Sequence, residues 1–176
     1  MKRVQPDDHS FACAPEQGDE NLARTAEGKV QVLDRQWIEA FAELQKLKII
    51  SLPQEQKYFL KPRSLADLEN GIRNGLLLGM VLDGELIGGA LVAYPGNHTG
   101  DLKSYPLDKD CAVVQSVMTH PAFAKRGVGQ KILSEAETIV SQKFSAMIAK
   151  IAVNNHVSQQ TFRKAGYKLI IDNYLD

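Results

Sequence analysis

Two apolar, strand-like runs in the second half of the chain flank one amphipathic helix. The first run is Cys111 to Met118, interrupted by Gln115 and Ser116, and a nearly continuous apolar run is typical of a strand covered on both faces. The second run is Ala146 to Val153. The segment between them places six apolar side chains on one helical face: Val128, Ile132, Leu133, Ala136, Ile139 and Val140. This order predicts two parallel strands joined by a right-handed crossover.

The first half of the chain predicts antiparallel strands instead. Leu76 to Leu82 and Glu85 to Tyr94 are strand-like runs joined by Asp83-Gly84, a dipeptide that favours a tight hairpin. The remaining elements predicted from spacing and capping residues are a strand at Lys29 to Leu33, helices at Trp37 to Leu47, Leu65 to Ile72 (with Ser64 as N-cap) and Asn155 to Lys164, and a strand at Tyr167 to Ile171. The predicted fold class is therefore α/β (α+β), with a mixed central sheet and helices on both faces.

The length and charge of the chain limit its domain organisation and its partners. Its 176 residues fit one domain. Residues 1–28 are polar without a sustained period, so we expect them to extend outside a folded domain of residues 29–176. A formal net charge of +0 gives no electrostatic reason to expect a nucleic acid or an acidic membrane as partner. No run has membrane-spanning or signal-peptide length and no cluster has metal-ligand spacing, which predicts a cytoplasmic protein without bound metal.

A glycine-containing loop connects the first apolar run to the helix that follows it. Gly127 and Gly129 stand where that helix begins, and glycines there let a ligand approach the backbone closely. The N–H groups of a helix start favour an anion such as phosphate, and Lys125 and Arg126 add positive charge beside them. For the Gly-x-Gly spacing alone, a tight turn without a ligand is an equally good interpretation.

At this point the sequence resembles the GNAT superfamily of acetyl-CoA-dependent N-acetyltransferases. The hallmark of that family is Gln or Arg-x-x-Gly-x-Gly or Ala, after a strand that ends in an apolar-x-Pro turn. His120-Pro121 and Lys125 to Gly129 follow this pattern without a gap. The Gln or Arg position is Ala124 in this chain, so a side chain that helps to hold the family's loop around the pyrophosphate is missing. Arg126, two places later, is a candidate to supply the lost charge.

A second segment supports the resemblance independently. The family's second motif is Asn-x-x-Ala-x-x-x-Tyr-x-x-x-Gly-Phe. Its five marked places are taken by Asn155, Ser158, Phe162, Gly166 and Tyr167. The resemblance extends from roughly residue 29 to residue 175 and is strongest from Cys111 onward. It implies the GNAT fold, with a central parallel pair of strands that diverge.

The resemblance also implies acetyl-CoA as co-substrate, bound between the diverging strands, where unpaired backbone groups can bond the pantetheine amides like an added strand. The backbone positions that would contact this arm are Val117, Met118 and Thr119. The positions that would surround the pyrophosphate are Lys125, Arg126, Gly127, Val128, Gly129, Gln130 and Lys131. Asn155 and Phe162 would line the far side. The N–H of Ser116 or Val117 would polarise the acetyl carbonyl.

The polar side chains of Gln115 and Ser116 interrupt an apolar strand, and either could face the acceptor or be hydrogen-bonded in the core. Tyr58, Phe59 and Tyr94 could likewise border the acceptor site or only pack. The activity implied by the resemblance is direct acetyl transfer to a small-molecule or peptide amine within a ternary complex.

A CoA-binding module without catalysis is the alternative, because Ala124 replaces the family's Gln or Arg and Phe162 stands where many relatives have a tyrosine that protonates the departing sulfur. A nucleotide-binding fold fits less well, since Gly127-x-Gly129 is not followed by a third glycine at Ile132. A homodimer is compatible with these observations, although the sequence does not determine the oligomeric state.

Overall fold

A computed structural model describes residues 8–13, 27–97 and 110–170 of the chain. The strands and α-helices of these residues are β1 (Asp8–Cys13), β2 (Lys29–Val32), α1 (Ile38–Ser51), α2 (Leu65–Arg73), β3 (Gly75–Leu82), β4 (Glu85–Ala93), β5 (Cys111–Thr119), α3 (Val128–Val140), β6 (Ala146–Ala152), α4 (His156–Lys164) and β7 (Tyr167–Ile170). Short 3-10 turns precede α1 (Arg35–Trp37), α2 (Gln54–Phe59) and α3 (Pro121–Phe123). The strands form one sheet in the order β2-β3-β4-β5-β6-β1-β7.

The first four strands in this order pair antiparallel, as the sequence predicts. The β3–β4 hairpin turns at Asp83 and Gly84, whose φ angles are 50° and 82°. A two-residue turn with two left-handed residues matches the twist of the flanking strands, and Asp and Gly both tolerate that conformation. The next pair, β5 and β6, is parallel and is connected through α3. The predicted mixed sheet is thus confirmed.

The two faces of the sheet are covered by different helices. On one face, α3 packs Val128, Ile132 and Leu133 against residues such as Leu78 and Met80 of β3. On the other face, α1 and α2 bury a second cluster that includes Phe41, Leu44, Leu68, Leu77 and Leu91. Since consecutive strand residues point to opposite faces, Leu77 and Leu78 contribute to different clusters, and the apolar runs of β3 and β4 are explained by burial on both sides.

Helix α2 is fixed at its start by side-chain hydrogen bonds. Ser64 is the N-cap and forms a reciprocal capping box with Asp67, as the sequence predicts for the cap. The helix runs through Gly71 and ends at Arg73, one residue beyond the predicted end. A Cβ atom on Gly71 would lie 2.5 Å from Leu91 Cδ1, so this glycine lets α2 approach the sheet and does not terminate the helix.

Adjacent glycines in β4 let a helix approach each face of the sheet. A Cβ atom on Gly88 would lie 2.4 Å from Val128 Cγ1 of α3, and one on Gly89 would lie 2.5 Å from Phe41 Cε2 of α1. Both partners are buried, and a β-branched side chain and a core ring have little freedom to move aside. The short distances of α1 and α3 from the sheet therefore depend on glycine, which has no side chain, at positions 88 and 89 of β4.

We expect Gly89→Ala to lower the free energy of unfolding by about 1–3 kcal/mol, because the new methyl group overlaps the ring of Phe41. Denaturant unfolding of Gly89→Ala, Phe41→Leu and the double variant measures this effect. The smaller side chain in Phe41→Leu leaves room for the methyl group, so the double variant should lose less stability than the sum of the single losses. Strict additivity would contradict steric overlap as the cause.

Strand β1 corrects the expectation that residues 1–28 lie outside the folded domain. Asp8–Cys13 pairs antiparallel with β6 on one side and with β7 on the other. Gly28 also lies against Met80 of β3, whereas for residues 1–7 and 14–26 a position outside the domain stays a prediction. The sequence did not reveal β1 because its short segment has no clear alternation, and its pairing partners lie more than a hundred residues further along the chain. Backbone hydrogen bonding to distant strands, rather than local pattern, makes this segment extended.

We expect deletion of residues 2–13 to destabilise the domain by about 3 kcal/mol or more, because β6 and β7 lose the backbone hydrogen bonds that β1 provides. Deletion of residues 2–7 is the matched control, since it leaves the strand in place. Thermal unfolding of both truncated proteins compares them with the full chain. Equal Tm values for the two truncations would show that β1 contributes little to stability.

Candidate functional site

A bulge in β5 marks the point where the central strands separate. Leu91 of β4 pairs with Ser116 and Val92 pairs with Val114, so Gln115 is the extra residue in β5. The parallel pairing of β5 with β6 ends at the same level, with Val114 and Ala149 as its last pair. Both strands continue beyond this point. Within the described residues, the edge of β5 from Gln115 to Thr119 that faces β6 has no strand partner, and this opening is the β5–β6 groove.

The bulge changes the direction of the polar side chains that interrupt the apolar run. Two residues of the bulged strand oppose one residue of its partner. Gln115 is half-buried and lines a cleft together with Leu91 and Ala93 of β4. Ser116 is buried, with 7% of its surface exposed. Val117, Met118 and Thr119 lie along the edge of β5 that faces the β5–β6 groove. Their contacts with a ligand stay a prediction.

The chain turns sharply before α3 and leaves the start of this helix uncapped. Lys125 and Gly127 have φ angles of 63° and 75°, and a left-handed conformation is unusual for lysine. The first helical hydrogen bond is donated by the N–H of Lys131 to the carbonyl of Gly127, at 3.0 Å. No side chain caps the helix at Gly127. The N–H groups of Val128, Gly129 and Gln130 thus precede the first helical bond and form an anion-favouring end.

Two aromatic contacts shape the loop that leads into this helix. The guanidinium of Arg126 lies 5.3 Å from the centre of the Phe123 ring, an arrangement that holds a cation over an aromatic face. The ring of His120 meets Phe123 edge-on, and His120 Nδ1 accepts the N–H of Ala122 at 3.2 Å. His120 therefore acts as a turn residue. The contact with Phe123 keeps the charge of Arg126, two residues after Ala124, close to the start of α3.

Gly129 has a second role that the sequence did not indicate. A Cβ atom at this position would lie 3.2 Å from Thr161 Cγ2 of α4 and 3.7 Å from Thr119 Oγ1 of β5. The glycine thus brings the start of α3 close to the end of β5 and to α4. The predicted loop and the predicted strand edge are therefore adjacent. A large residue at position 129 would disturb helix packing as well as any ligand.

Helix α4 closes the far side of this region with residues that also have structural roles. Asn155 Oδ1 accepts the N–H of Ser158 at 3.1 Å and caps the helix. Phe162 has 3% of its surface exposed and meets Tyr167 edge-to-face, with 4.8 Å between ring centres. The amide of Gln159 donates to the carbonyls of Ala152 and Val153 at the end of β6. The sequence missed this last connection, which fixes α4 relative to the groove.

A hydrogen bond between distant parts of the chain links the α1–α2 connection to the turn after β6. Asn154 Nδ2 donates to Tyr58 Oη at 2.6 Å. The ring of Tyr58 packs on Phe59, with 4.3 Å between centres, and Tyr58 remains 58% exposed. Asn154 follows β6, which borders the groove opposite β5. The sequence offered Tyr58 only as a candidate aromatic residue and gave no sign of its partner.

A small polar cleft lies between α2 and strands β4 and β5 and is partly open to solvent. We call it the α2 cleft. Six of its nine lining residues are polar or charged: Arg63, Asp67, Asn70, Asn74, Asn97 and Gln115. The other three are Gly71, Leu91 and Ala93. Because Gln115 is the bulged residue, the cleft meets the beginning of the β5–β6 groove.

The charged groups of the α2 cleft are held by neighbouring residues. Hydrogen bonds from the hydroxyl and the main-chain N–H of Ser64, at 2.8 and 3.1 Å, lower the pKa of Asp67, and the charge of Arg63 acts in the same direction. Burial lowers the pKa of Arg63 against the attraction of Asp67, yet a guanidinium remains protonated. The main-chain N–H of Arg63 donates to Gln45 Oε1 at 2.9 Å. Gln45 itself is buried in α1, with 2% exposure.

Over residues 8–13, 27–97 and 110–170, no helix combines the length and hydropathy needed for a transmembrane span. In the same part of the chain, no group of three or more His, Cys, Asp and Glu side chains is arranged to hold a metal ion.

Comparison with known families identifies the class of protein. The sequence matches the model of the acetyltransferase (GNAT) family over residues 46–167. The chain therefore belongs to the GNAT acetyltransferase family, for which acetyl-CoA is the characteristic co-substrate. A search of curated protein sequences finds no match.

Several solved structures share the fold at low sequence identity. The aminoglycoside N-acetyltransferase AAC(6')-Iy, solved with a CoA bisubstrate analogue, is 16% identical with a TM-score of 0.62, over 86% of this chain and 97% of that one. The PaiA N-acetyltransferase of Thermoplasma acidophilum, solved with coenzyme A, is 18% identical with a TM-score of 0.65, over 85% and 94%. A longer GNAT acetyltransferase from Colwellia psychrerythraea is 14% identical with a TM-score of 0.62, over 93% of this chain and 52% of that one.

Proposed function

We propose that the protein transfers an acetyl group from acetyl-CoA to an amine by direct attack within a ternary complex. The observation that carries this proposal is the coincidence of the β5 bulge with the end of β5–β6 pairing. The groove that begins there runs toward the uncapped start of α3. An extended amide-containing arm and an anionic group can thus be bound at the two ends of one groove.

The residues of this groove fit acetyl-CoA. The pantetheine arm would bond the free edge of β5 from Val117 to Thr119 as an added strand does. Its pyrophosphate would lie at the start of α3, within reach of Lys125 and Arg126. The full set proposed to surround the pyrophosphate is Lys125, Arg126, Gly127, Val128, Gly129, Gln130 and Lys131. Asn155 and Phe162 would border the ligand from α4.

The proposed reaction uses the thioester of acetyl-CoA together with main-chain N–H groups at the β5 bulge. When bound, acetyl-CoA supplies its acetyl group as a reactive thioester. The main-chain N–H of Ser116 or Val117 would donate to the acetyl carbonyl oxygen, where negative charge develops. An amine of pKa about 10.4 must lose its proton first, which costs roughly 4 to 5 kcal/mol at pH 7. Movement of the amine from water into the partly buried space beside Gln115 disfavours its protonated form, which reduces the cost of deprotonation.

A CoA-binding module without catalysis is the second candidate, and Ala124 and Phe162 are the observations that favour it. The proposed enzyme would act on a small-molecule or peptide amine and would be located in the cytoplasm. Turnover distinguishes the two candidates, because both require acetyl-CoA to bind in the groove.

We expect acetyl-CoA to raise the Tm by mass action, and Arg126→Glu to abolish most of this shift because it reverses the charge beside the pyrophosphate. Lys29→Glu is the matched control, since it makes the same charge change on β2, three strands away from β5. Release of CoA thiol is then measured with polyamines, aminoglycosides, amino acids and peptides. A thermal shift without thiol release would favour the non-catalytic module. Equal shifts in the wild type and Arg126→Glu would contradict the assigned phosphate site.

We expect Phe162→Tyr to raise kcat, by up to about a hundredfold, because a tyrosine hydroxyl can protonate the departing sulfur. The gain should be clearest below about pH 8, where a phenol of pKa about 10 is protonated and a free thiolate is disfavoured. The pH dependence of kcat is measured from about pH 6 to 9, with Phe162→Leu as a control that adds no hydroxyl. An unchanged kcat with reduced stability would mean that Phe162 only packs against Tyr167.

A further inference from the structure

The loop before α3 contains one aromatic side chain, Phe123, that contacts both the protein core and an arginine. Phe123 is half-buried and packs against the cluster that includes Val128 and Ile132 of α3. The guanidinium of Arg126 lies 5.3 Å from the centre of the same ring, within the range of a cation–π contact. A side chain that is fixed by the core thus holds one that would otherwise move freely in solvent.

The backbone between the two residues brings them together. Ala124 is extended, with φ −58° and ψ 146°, and Lys125 is left-handed, with φ 63°. An extended residue followed by a left-handed one is the pattern of a type II turn, whose first and fourth residues lie close together. Phe123 and Arg126 are the first and fourth residues of this turn. Since lysine adopts the left-handed conformation less readily than glycine, the chain accepts a conformational cost at the position on which this contact depends.

The residues before the turn fix the ring relative to the sheet. The N–H of His120 donates to the carbonyl of Ile87 in β4 at 2.9 Å, and the N–H of Phe123 donates to the carbonyl of His120 at 2.9 Å. The ring of His120 also meets Phe123 edge-on, with 5.8 Å between ring centres. The position of Phe123 is therefore set by the sheet and the core and does not depend on Arg126.

The N–H donors of Arg126 are available to a ligand. Its side chain is exposed, and among the described residues its guanidinium contacts the Phe123 ring and donates no hydrogen bond. A contact with the face of a ring does not use the N–H donors, which are suited to a phosphate group. An arginine side chain that is already held loses less rotamer freedom when it binds a ligand, and the affinity is higher as a result.

We propose that Phe123 is a positioning residue for acetyl-CoA, because it holds the guanidinium of Arg126 beside the start of α3 before the ligand binds. This role rests on the proposed phosphate site at residues 125–131. Ala124 has only a methyl group and cannot contribute a charge or a hydrogen bond in this loop. Lys125 has no aromatic partner among the described residues, so the role concerns Arg126 alone. The affinity for acetyl-CoA should then depend on the aromatic character of residue 123.

Calorimetric binding of coenzyme A measures this dependence without turnover. Phe123→Leu should weaken binding about two- to fivefold, the contribution of a cation–π contact at an exposed site. Phenylalanines with one, two or three ring fluorines at position 123 should weaken binding progressively, because fluorine withdraws electron density from the ring face and changes its shape little. Unchanged affinity across the fluorinated series would overturn the proposed role, even if Phe123→Leu impaired folding.

A double-mutant cycle separates positioning of Arg126 from simple packing of the loop. In the Arg126→Gln background, Phe123→Leu should have no further effect on the Kd for coenzyme A, because the cation that the ring holds is absent. Lys125→Gln is the matched control, since it removes a positive charge from the same loop without removing the ring contact. In that background Phe123→Leu should keep its full effect. An equal effect in both backgrounds would mean that the ring only packs, and would overturn the proposed role.

Two further results separate this inference from the proposed function. Coenzyme A binding that is unaffected by Arg126→Gln would contradict the phosphate site and the role of Phe123 together. Weaker binding by Arg126→Gln, without coupling to residue 123, would overturn only the role of Phe123. In the ligand-free protein, the ring current of Phe123 should displace the NMR signals of the Arg126 side chain, and Phe123→Leu should remove this displacement. Signals without such a difference would also overturn the inference, because the contact would not precede binding.

Discussion

The end of β5–β6 pairing at Val114 and Ala149 is the constraint on which the candidate site depends. Two parallel strands that stayed paired along their length would leave no backbone groups for a ligand between them. The extra residue at Gln115 occurs at the same level on the other side of β5. One strand thus changes its pairing with both neighbours within two residues. The groove, its open strand edge and the entrance of the α2 cleft all begin at this point.

Close approach of helices to the sheet places the other parts of the site around this opening. Gly88 and Gly89 let α3 and α1 lie near opposite faces of β4, and Gly129 brings the start of α3 next to β5 and α4. The structural role of these glycines is therefore to let neighbouring elements pack closely. The uncapped start of α3 is held beside the groove because one face of this helix is buried along its length. Strand β1 supports the same arrangement from the other side of β6, since it lies between β6 and β7 and pairs with both.

The α2 cleft is a polar opening on the face of the sheet that carries α1 and α2. Its charged residues belong to the start of α2 and to the segment just before it, where Gln45 and Ser64 fix their positions through hydrogen bonds. In the proposed acetyl transfer, acetyl-CoA would occupy the groove toward the start of α3, with its acetyl group near Ser116 and Val117. A direct transfer requires both substrates to be bound at the same time in a reactive orientation.

The sequence by itself determined the hairpin at Asp83-Gly84, the crossover around α3 and the strand-to-helix loop at Gly127, because each depends on local periodicity, turn chemistry or a contiguous motif. The tertiary structure alone decided the place of β1, the contact of Gly129 with Thr161, the Tyr58–Asn154 bond and the α2 cleft. Each of these joins segments that are far apart in the chain. No local pattern records such a pairing, because the free energy that selects it comes from packing and hydrogen bonding with a partner that only the folded chain brings near.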